Sequence, residues 1–259
     1  MSAMLEVREL SRNFGGLKAV SELTFDVGRD EVVGLIGPNG AGKSTAFNLI
    51  SGTLRPSAGQ VHLHGRDITG LAPSRVVRHG LARTFQSAAV YPTATVAENI
   101  QRGTLSTLPG AIWTQILPTG TRRQALAAAA REVEEVLELT GLGPYRDVLA
   151  GGLPYGHQKK LGVAVGIATR PDLLLMDEPA AGLNGEECAQ FGRLLKQLQR
   201  ERKLSILLVE HHMALVMDLC QRIVVLVHGR KIADDTPANI RANPAVIEAY
   251  LGAPDYAHA

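Results

Sequence analysis

Two runs near the start, LEVREL and LTFDVG, alternate apolar and polar residues, which predicts half-buried strands. Gly15, Gly16 and Gly28 supply turn residues around them. EVVGLIG is a β-branched apolar run that stops at glycine, and KSTAFNLISG follows with helical character and Gly52 as its C-cap. Gln60 to Ile68 alternates again, and Ser74 to His79 suits a short helix. Gln124 to Leu139 is rich in Ala, Leu and Glu and predicts a long helix ending at Gly141; another runs from near His157 to before Pro171. DLLLMDE and LSILLVE are short, continuously apolar runs, the mark of strands buried on both faces of a parallel sheet, with a helix over about Glu186–Arg200 between them. RIVVLVHGRKI predicts a hairpin turning at His228-Gly229, and Thr236-Pro237 an N-cap followed by a first-turn proline.

Strands alternating with helices predict an α/β fold with a mostly parallel sheet, preceded by an antiparallel N-terminal β part. The helix-rich stretch 87–165 interrupts the alternation. The expectation is a single domain over 1–259, with an α/β core in 1–86 and 166–259 and a helical subdomain inserted at 87–165. The longest uncharged stretch, Gly103 to Thr121, is broken by Pro109, Gly110, Pro118 and Gly120 and reads as a surface loop or short helices.

Composition narrows the class. The chain has 259 residues, 45% hydrophobic and 20% charged, ordinary values that exclude disorder, collagen-like repeats and a coiled coil. Lys plus Arg number 27 against 25 Asp plus Glu, a net +2, so there is no electrostatic case for a general nucleic-acid binder. No run approaches the roughly 20 apolar residues of a spanning helix, and the N-terminal MSAMLEVREL has no apolar signal core. Cys188 and Cys220 lack metal or redox spacing and read as buried small hydrophobes.

The chemistry concentrates in two places. GPNGAGKS, Gly37 to Ser44, fits GxxxxGK[ST] between a predicted strand and a helix. Gly37, Gly40 and Gly42 let the backbone wrap closely around an anion, and the helix after them points its positive end at the same place. Lys43 is spaced to reach β- and γ-phosphates, Ser44 offers a hydroxyl to Mg²⁺, and Thr45 one to the α-phosphate. Pro38, Asn39 and Ala41 complete the loop. The alternative is a Gly-rich turn that binds nothing. LLLMDEP ends an apolar strand in Asp177, suited to Mg²⁺, and Glu178, suited to accept a proton from an attacking water; the alternative is a solvated turn. His211 ends a second such strand, with His212 beside it. His62 and His64 alternate on a predicted strand and would be a metal pair, with no third ligand evident.

The order GPNGAGKST, RTFQ, LPYGHQKKL, LLLMDEP, AAGLN, VEHHM resembles the ATP-binding subunit of ABC transporters along nearly the whole chain. GLKAV, GRDITGL, RTFQ, PYG, DEPAAGLN and the tail VEHHMALVMD…ANPAVIEAYLG look most like the ATPases of bacterial branched-chain amino acid importers. The resemblance implies a P-loop NTPase core that hydrolyses ATP with Mg²⁺. It implies that Phe14 stacks on adenine, that Gln86 contacts Mg²⁺ and the attacking water, and that His211 holds the γ-phosphate and positions Glu178. It also implies that Pro154, Tyr155, Gly156 and His157, where the family carries LSGGQ, close the site of an opposite subunit. Pro154 lacks the serine hydroxyl and an N–H, and Asn184 stands where many members carry aspartate. The implied partners are a second ATP-binding subunit, identical or paralogous, two membrane permease subunits and, indirectly, a periplasmic solute-binding protein. The implied place is the cytoplasmic face of the bacterial inner membrane. ATPases of urea or amide import and of lipopolysaccharide export share this chemistry. Non-transport ABC ATPases usually carry long coiled coils or two fused halves, absent here.

Overall fold

The computed structural model describes residues 3–84, 90–106 and 119–251. Its elements are β1 (Leu5–Phe14), β2 (Leu17–Val27), β3 (Val32–Ile36), α1 (Lys43–Ile50), β4 (Ala58–Leu63), β5 (Arg66–Asp67), α2 (Pro73–Arg78), β6 (Leu81–Thr84), α3 (Val96–Ser106) and α4 (Thr119–Thr140). They continue with α5 (Tyr155–Ile167), β7 (Leu173–Asp177), α6 (Gly185–Arg202), β8 (Ser205–Val209), α7 (Met213–Leu219), β9 (Arg222–Val227), β10 (Arg230–Asp235), α8 (Pro237–Ala242) and α9 (Pro244–Leu251).

The strands form two sheets. The order β2-β1-β4-β5 is antiparallel throughout. The second sheet has the order β10-β9-β3-β8-β7-β6, in which β9, β3, β8, β7 and β6 are mutually parallel and only the edge strand β10 runs against β9. The apolar runs read as doubly buried strands, β7 and β8, are buried at every position, and so is β3. Alternation then sorts their side chains between two cores. Val33, Leu35, Leu173, Leu175, Leu207 and Val209 join the core formed with the antiparallel sheet and α1. Val32, Ile36, Leu174, Met176, Ile206 and Leu208 join the core shared with the helices. Cys188 and Cys220 are both buried and free, and burial pushes the Cys220 thiol up to about 12.

Helices α3, α4 and α5 lie in sequence between β6 and β7, which are parallel neighbours in the sheet. Gly103 packs so closely on α5 that a Cβ would sit 2.5 Å from the Val165 carbonyl oxygen. Of the stretch read as a surface loop or short helices, residues 103–106 belong to α3 and 119–121 to α4; 107–118 lie outside the described residues. Gly52 follows α1 with φ +76°, the left-handed cap anticipated there. Thr236 caps α8 by accepting from the Asn239 amide, with Pro237 in the first turn.

The paired histidines come out differently. His62 lies in β4, but His64 sits beyond the strand in a turn with φ +52°, and its Nε2 is 2.9 Å from Asp172 Oδ2. The turn breaks the alternation that would have set the two imidazoles on one face. No group of three or more His, Cys, Asp or Glu fit for a metal occurs among the described residues.

Candidate nucleotide site

β3 runs straight into the loop 37–42, and the loop into α1. The glycines are there for steric reasons. At Gly37, φ is +152° and a Cβ would lie 2.0 Å from the Leu226 carbonyl oxygen. At Gly42, φ is +100° and a Cβ would lie 2.4 Å from the Ala19 carbonyl oxygen. The loop is thus wedged between the β9–β10 hairpin and β2. The Gly229 amide donates to the Ala41 carbonyl at 2.9 Å, and the Ser21 amide to the Gly229 carbonyl at 2.8 Å.

Above this loop opens a cavity of about 470 Å³, lined by Phe14, Asn39 through Thr45, Glu178 and His211. These residues come from the end of β1, the start of α1 and the ends of β7 and β8. Parallel strands deliver Glu178 and His211 to the same carboxyl edge of the sheet, where α/β folds bind ligands. Lys43 is buried; its Nζ donates to the carbonyls of Gly37 at 2.7 Å and Pro38 at 2.9 Å. Burial lowers its pKa, opposed by the negative charges of Glu178 and Asp177. Gly37 and Pro38 themselves hold the lysine rather than line the cavity.

The two acids part company. Asp177 is buried, and its Oδ2 accepts from Arg83 Nη2 at 2.9 Å; it does not line the cavity. Arg83 also donates to Asn48 Oδ1 of α1 and to the Oγ of Ser51, the residue that follows that helix. Glu178 has φ +49°, a left-handed conformation rarely adopted by a residue with a side chain. That reversal carries its carboxylate into the cavity, where Oε1 lies 2.9 Å from His211 Nε2. His212 instead stands at the N-cap of α7.

Phe14 is 42% exposed, with one face covered by the Arg12 guanidinium, 4.8 Å from the ring centroid. Sequence reasoning did not name Leu17, Lys18, Ala19 and His228 as site residues, yet all four line the cavity. Leu17, Lys18 and Ala19 arrive at the start of β2, within the GLKAV run, and His228 on the predicted β9–β10 turn. Gln86 lies outside the described residues.

Pro154, Tyr155, Gly156 and His157 lie at the start of α5 and do not line this cavity. Pro154 is the N-cap without a side-chain bond, and its carbonyl accepts from the His157 and Gln158 amides. Tyr155, 51% exposed, donates its hydroxyl to the Ala181 carbonyl at 3.0 Å. His157 packs on Tyr145 with centroids 4.5 Å apart, and its pKa is lowered, first by burial and then by Lys160. Asn184 caps α6: Oδ1 accepts from the Glu187 amide and Glu187 Oε2 accepts from the Asn184 amide.

Comparison with known proteins gives the family. Residues 20–181 match the family model described as ABC transporter. The chain belongs to the ABC transporter family as an ATP-binding cassette ATPase. Residues 230–256 of the cassette also match the model described as branched-chain amino acid ATP-binding cassette transporter. It is 41% identical over 254 residues to the high-affinity branched-chain amino acid transport ATP-binding protein BraF of Pseudomonas aeruginosa, covering 96% of this chain and 98% of that protein. It is 39% identical to the corresponding protein LivG of Escherichia coli K12, over 96% of this chain and 98% of the relative. The crystal structure of the ADP conformation of MJ1267, an ATP-binding cassette of an ABC transporter, superposes with a TM-score of 0.83 at 27% identity, covering 97% of the cassette and all of that chain. No helix among the described residues is long and apolar enough to cross a membrane.

Proposed function

We propose that this cassette is the ATP-hydrolysing subunit of an importer for branched-chain or other hydrophobic amino acids. The reading of the chemistry rests on one observation: the Glu178–His211 pair, 2.9 Å apart, shares a cavity with Lys43, Ser44 and Thr45 at the start of α1. The reading of the cargo rests on the relatives' transport of branched-chain amino acids and on the match of segment 230–256.

In this reading Phe14 stacks on adenine through its open face. The amides of Gly37, Pro38, Asn39, Gly40, Ala41, Gly42 and the first turn of α1 surround the phosphates, proline contributing only its position in the loop. Lys43 exchanges its bonds to the Gly37 and Pro38 carbonyls for bonds to β- and γ-phosphate oxygens. Thr45 hydrogen-bonds the α-phosphate. Ser44 and Asp177 are oxygen donors of the kind that holds Mg²⁺ alongside phosphate and water, with Gln86 as the third candidate. Such a Mg²⁺ would neutralise charge on the transferring phosphoryl group. Glu178 accepts a proton from the water that attacks the γ-phosphorus; the bond to the β-phosphate oxygen breaks, and ADP and phosphate leave. His211 holds Glu178 and the γ-phosphate in register.

Pro154 to His157 lie outside their own cavity, which fits a role facing the nucleotide of a second ATP-binding subunit. We read that partner as a paralogue, and the whole as docked on two permease subunits at the cytoplasmic face of the inner membrane, fed by a periplasmic binding protein. The chain is read as a single nucleotide-binding domain, its helical part at 87–165. The deciding variant is Glu178→Gln. It is expected to retain ATP and to lose steady-state hydrolysis; turnover at the wild-type rate rejects Glu178 as the base. Size-exclusion of that variant with ATP tests the pairing, and a homodimer rejects the paralogue.

A further inference from the structure

Glu210 is an acid at this edge of the sheet that the chemistry above does not use. It follows the last residue of β8, is 3% exposed, and does not line the cavity. Its two oxygens accept three backbone N–H groups. Oε1 takes the Ala180 amide at 2.7 Å, and Oε2 takes the His211 amide at 3.0 Å and the His212 amide at 3.2 Å. A carboxylate is tolerated at this depth because its oxygens are satisfied. An apolar residue here would leave one buried and two part-buried donors without this acceptor.

The connections matter because of where they end. Ala180 lies two residues after Glu178, whose own amide donates to the Val209 carbonyl at 2.8 Å. His211 is the residue whose ring meets the Glu178 carboxylate. Glu210 therefore joins the loop after β7 to the loop after β8 just behind the hydrolytic pair. We propose that Glu210 is a positioning residue for hydrolysis: it fixes the two loops in the register that keeps Glu178 and His211 within hydrogen-bond distance. This rests on the reading of Glu178 and His211 as the hydrolytic pair. A displacement of about 1 Å in such a constellation costs about 100-fold in rate.

Glu210→Gln removes one acceptor and turns an NH₂ toward backbone donors. In the purified full-length chain, kcat is expected to fall by about 10- to 100-fold. Equilibrium affinity for a fluorescent ATP analogue should stay within about threefold, and the melting temperature within a few degrees, because the loop and α1 are untouched. Glu210→Asp keeps the charge but is one methylene too short to span both loops, and should show a smaller fall in kcat with the same affinity. It decides the matter if the Gln variant does not fold. Wild-type turnover in the Gln variant overturns the proposal, as does a loss of affinity and melting temperature in step with kcat in the variants that fold. Wild-type turnover there beside an inactive Glu178→Gln rejects the positioning role alone; an active Glu178→Gln rejects the hydrolytic reading beneath it.

Discussion

Glu178 and Phe14 illustrate what single residues do here and how far each could be read in advance. The spacing of an apolar run ending in Asp-Glu identified both acids, but adjacent strand residues point to opposite sides. The left-handed φ at Glu178 sends its carboxylate to the cavity while Asp177 stays behind on Arg83. Such a conformation costs about 1–3 kcal/mol and persists because the flanking loops are tied down. Phe14 was assigned on resemblance alone, since an exposed ring at the end of a strand has no signature of its own. Stacking between a base and an aromatic ring contributes about 1–3 kcal/mol. Phe14→Ala is therefore expected to raise KM for ATP by about 5- to 50-fold, with kcat much less affected. Steady-state rates over a range of ATP concentrations test this, and an unchanged KM removes the ring from the site.

At the scale of elements, helix boundaries were legible where capping chemistry is local. Thr236-Pro237 and Gly52 needed only their neighbours. Asn184 was marked only as standing where many family members carry aspartate; its side chain is engaged in a reciprocal cap with Glu187. Loss of such a cap costs about 1 kcal/mol. Asn184→Ala should therefore lower the melting temperature by roughly 2–4 °C in a chain of this size, as calorimetry would register. His157 makes a second prediction for α5. Its folded pKa lies below the ordinary 6.5, so the unfolded chain binds the proton more readily. Stability then falls as pH drops through and below 6.5, and the penalty is full below the folded pKa. His157→Gln should flatten the decline in melting temperature between neutral pH and pH 5; an identical decline in both proteins refutes the assignment.

At the scale of the whole molecule, the Arg222 side chain spans both sheets. Arg222, at the start of β9, donates Nε to Glu31 before β3, Nη1 to Asp234 of β10 and Nη2 to Asp26 of β2. Removing the guanidinium leaves three carboxylates around one half-buried point. Arg222→Met is expected to destabilise the fold by about 2 kcal/mol, seen as a lower denaturant midpoint. A midpoint within error of wild type would mean that the sheets are held by the shared apolar core alone. The seam matters to function, because the phosphate loop is wedged between β2 and the β9–β10 turn, against Ala19 and Leu226.

Local physics settled much from the chain alone. Continuous apolar runs marked the buried parallel strands, and alternation marked the antiparallel ones. Glycines at fixed offsets before Lys43 and Ser44 declared the phosphate loop, because each of those signals depends on residues a few positions apart. Tertiary structure decided the rest. It brought Lys18, at the start of β2, and His228, on the β9–β10 turn more than 200 residues away, to one cavity and set Asp177 on Arg83. It also buried Glu210 where three amides converge. Those outcomes depend on which strand ends meet at one edge of the sheet, and strand order is fixed by packing between segments distant in sequence, which no local pattern encodes.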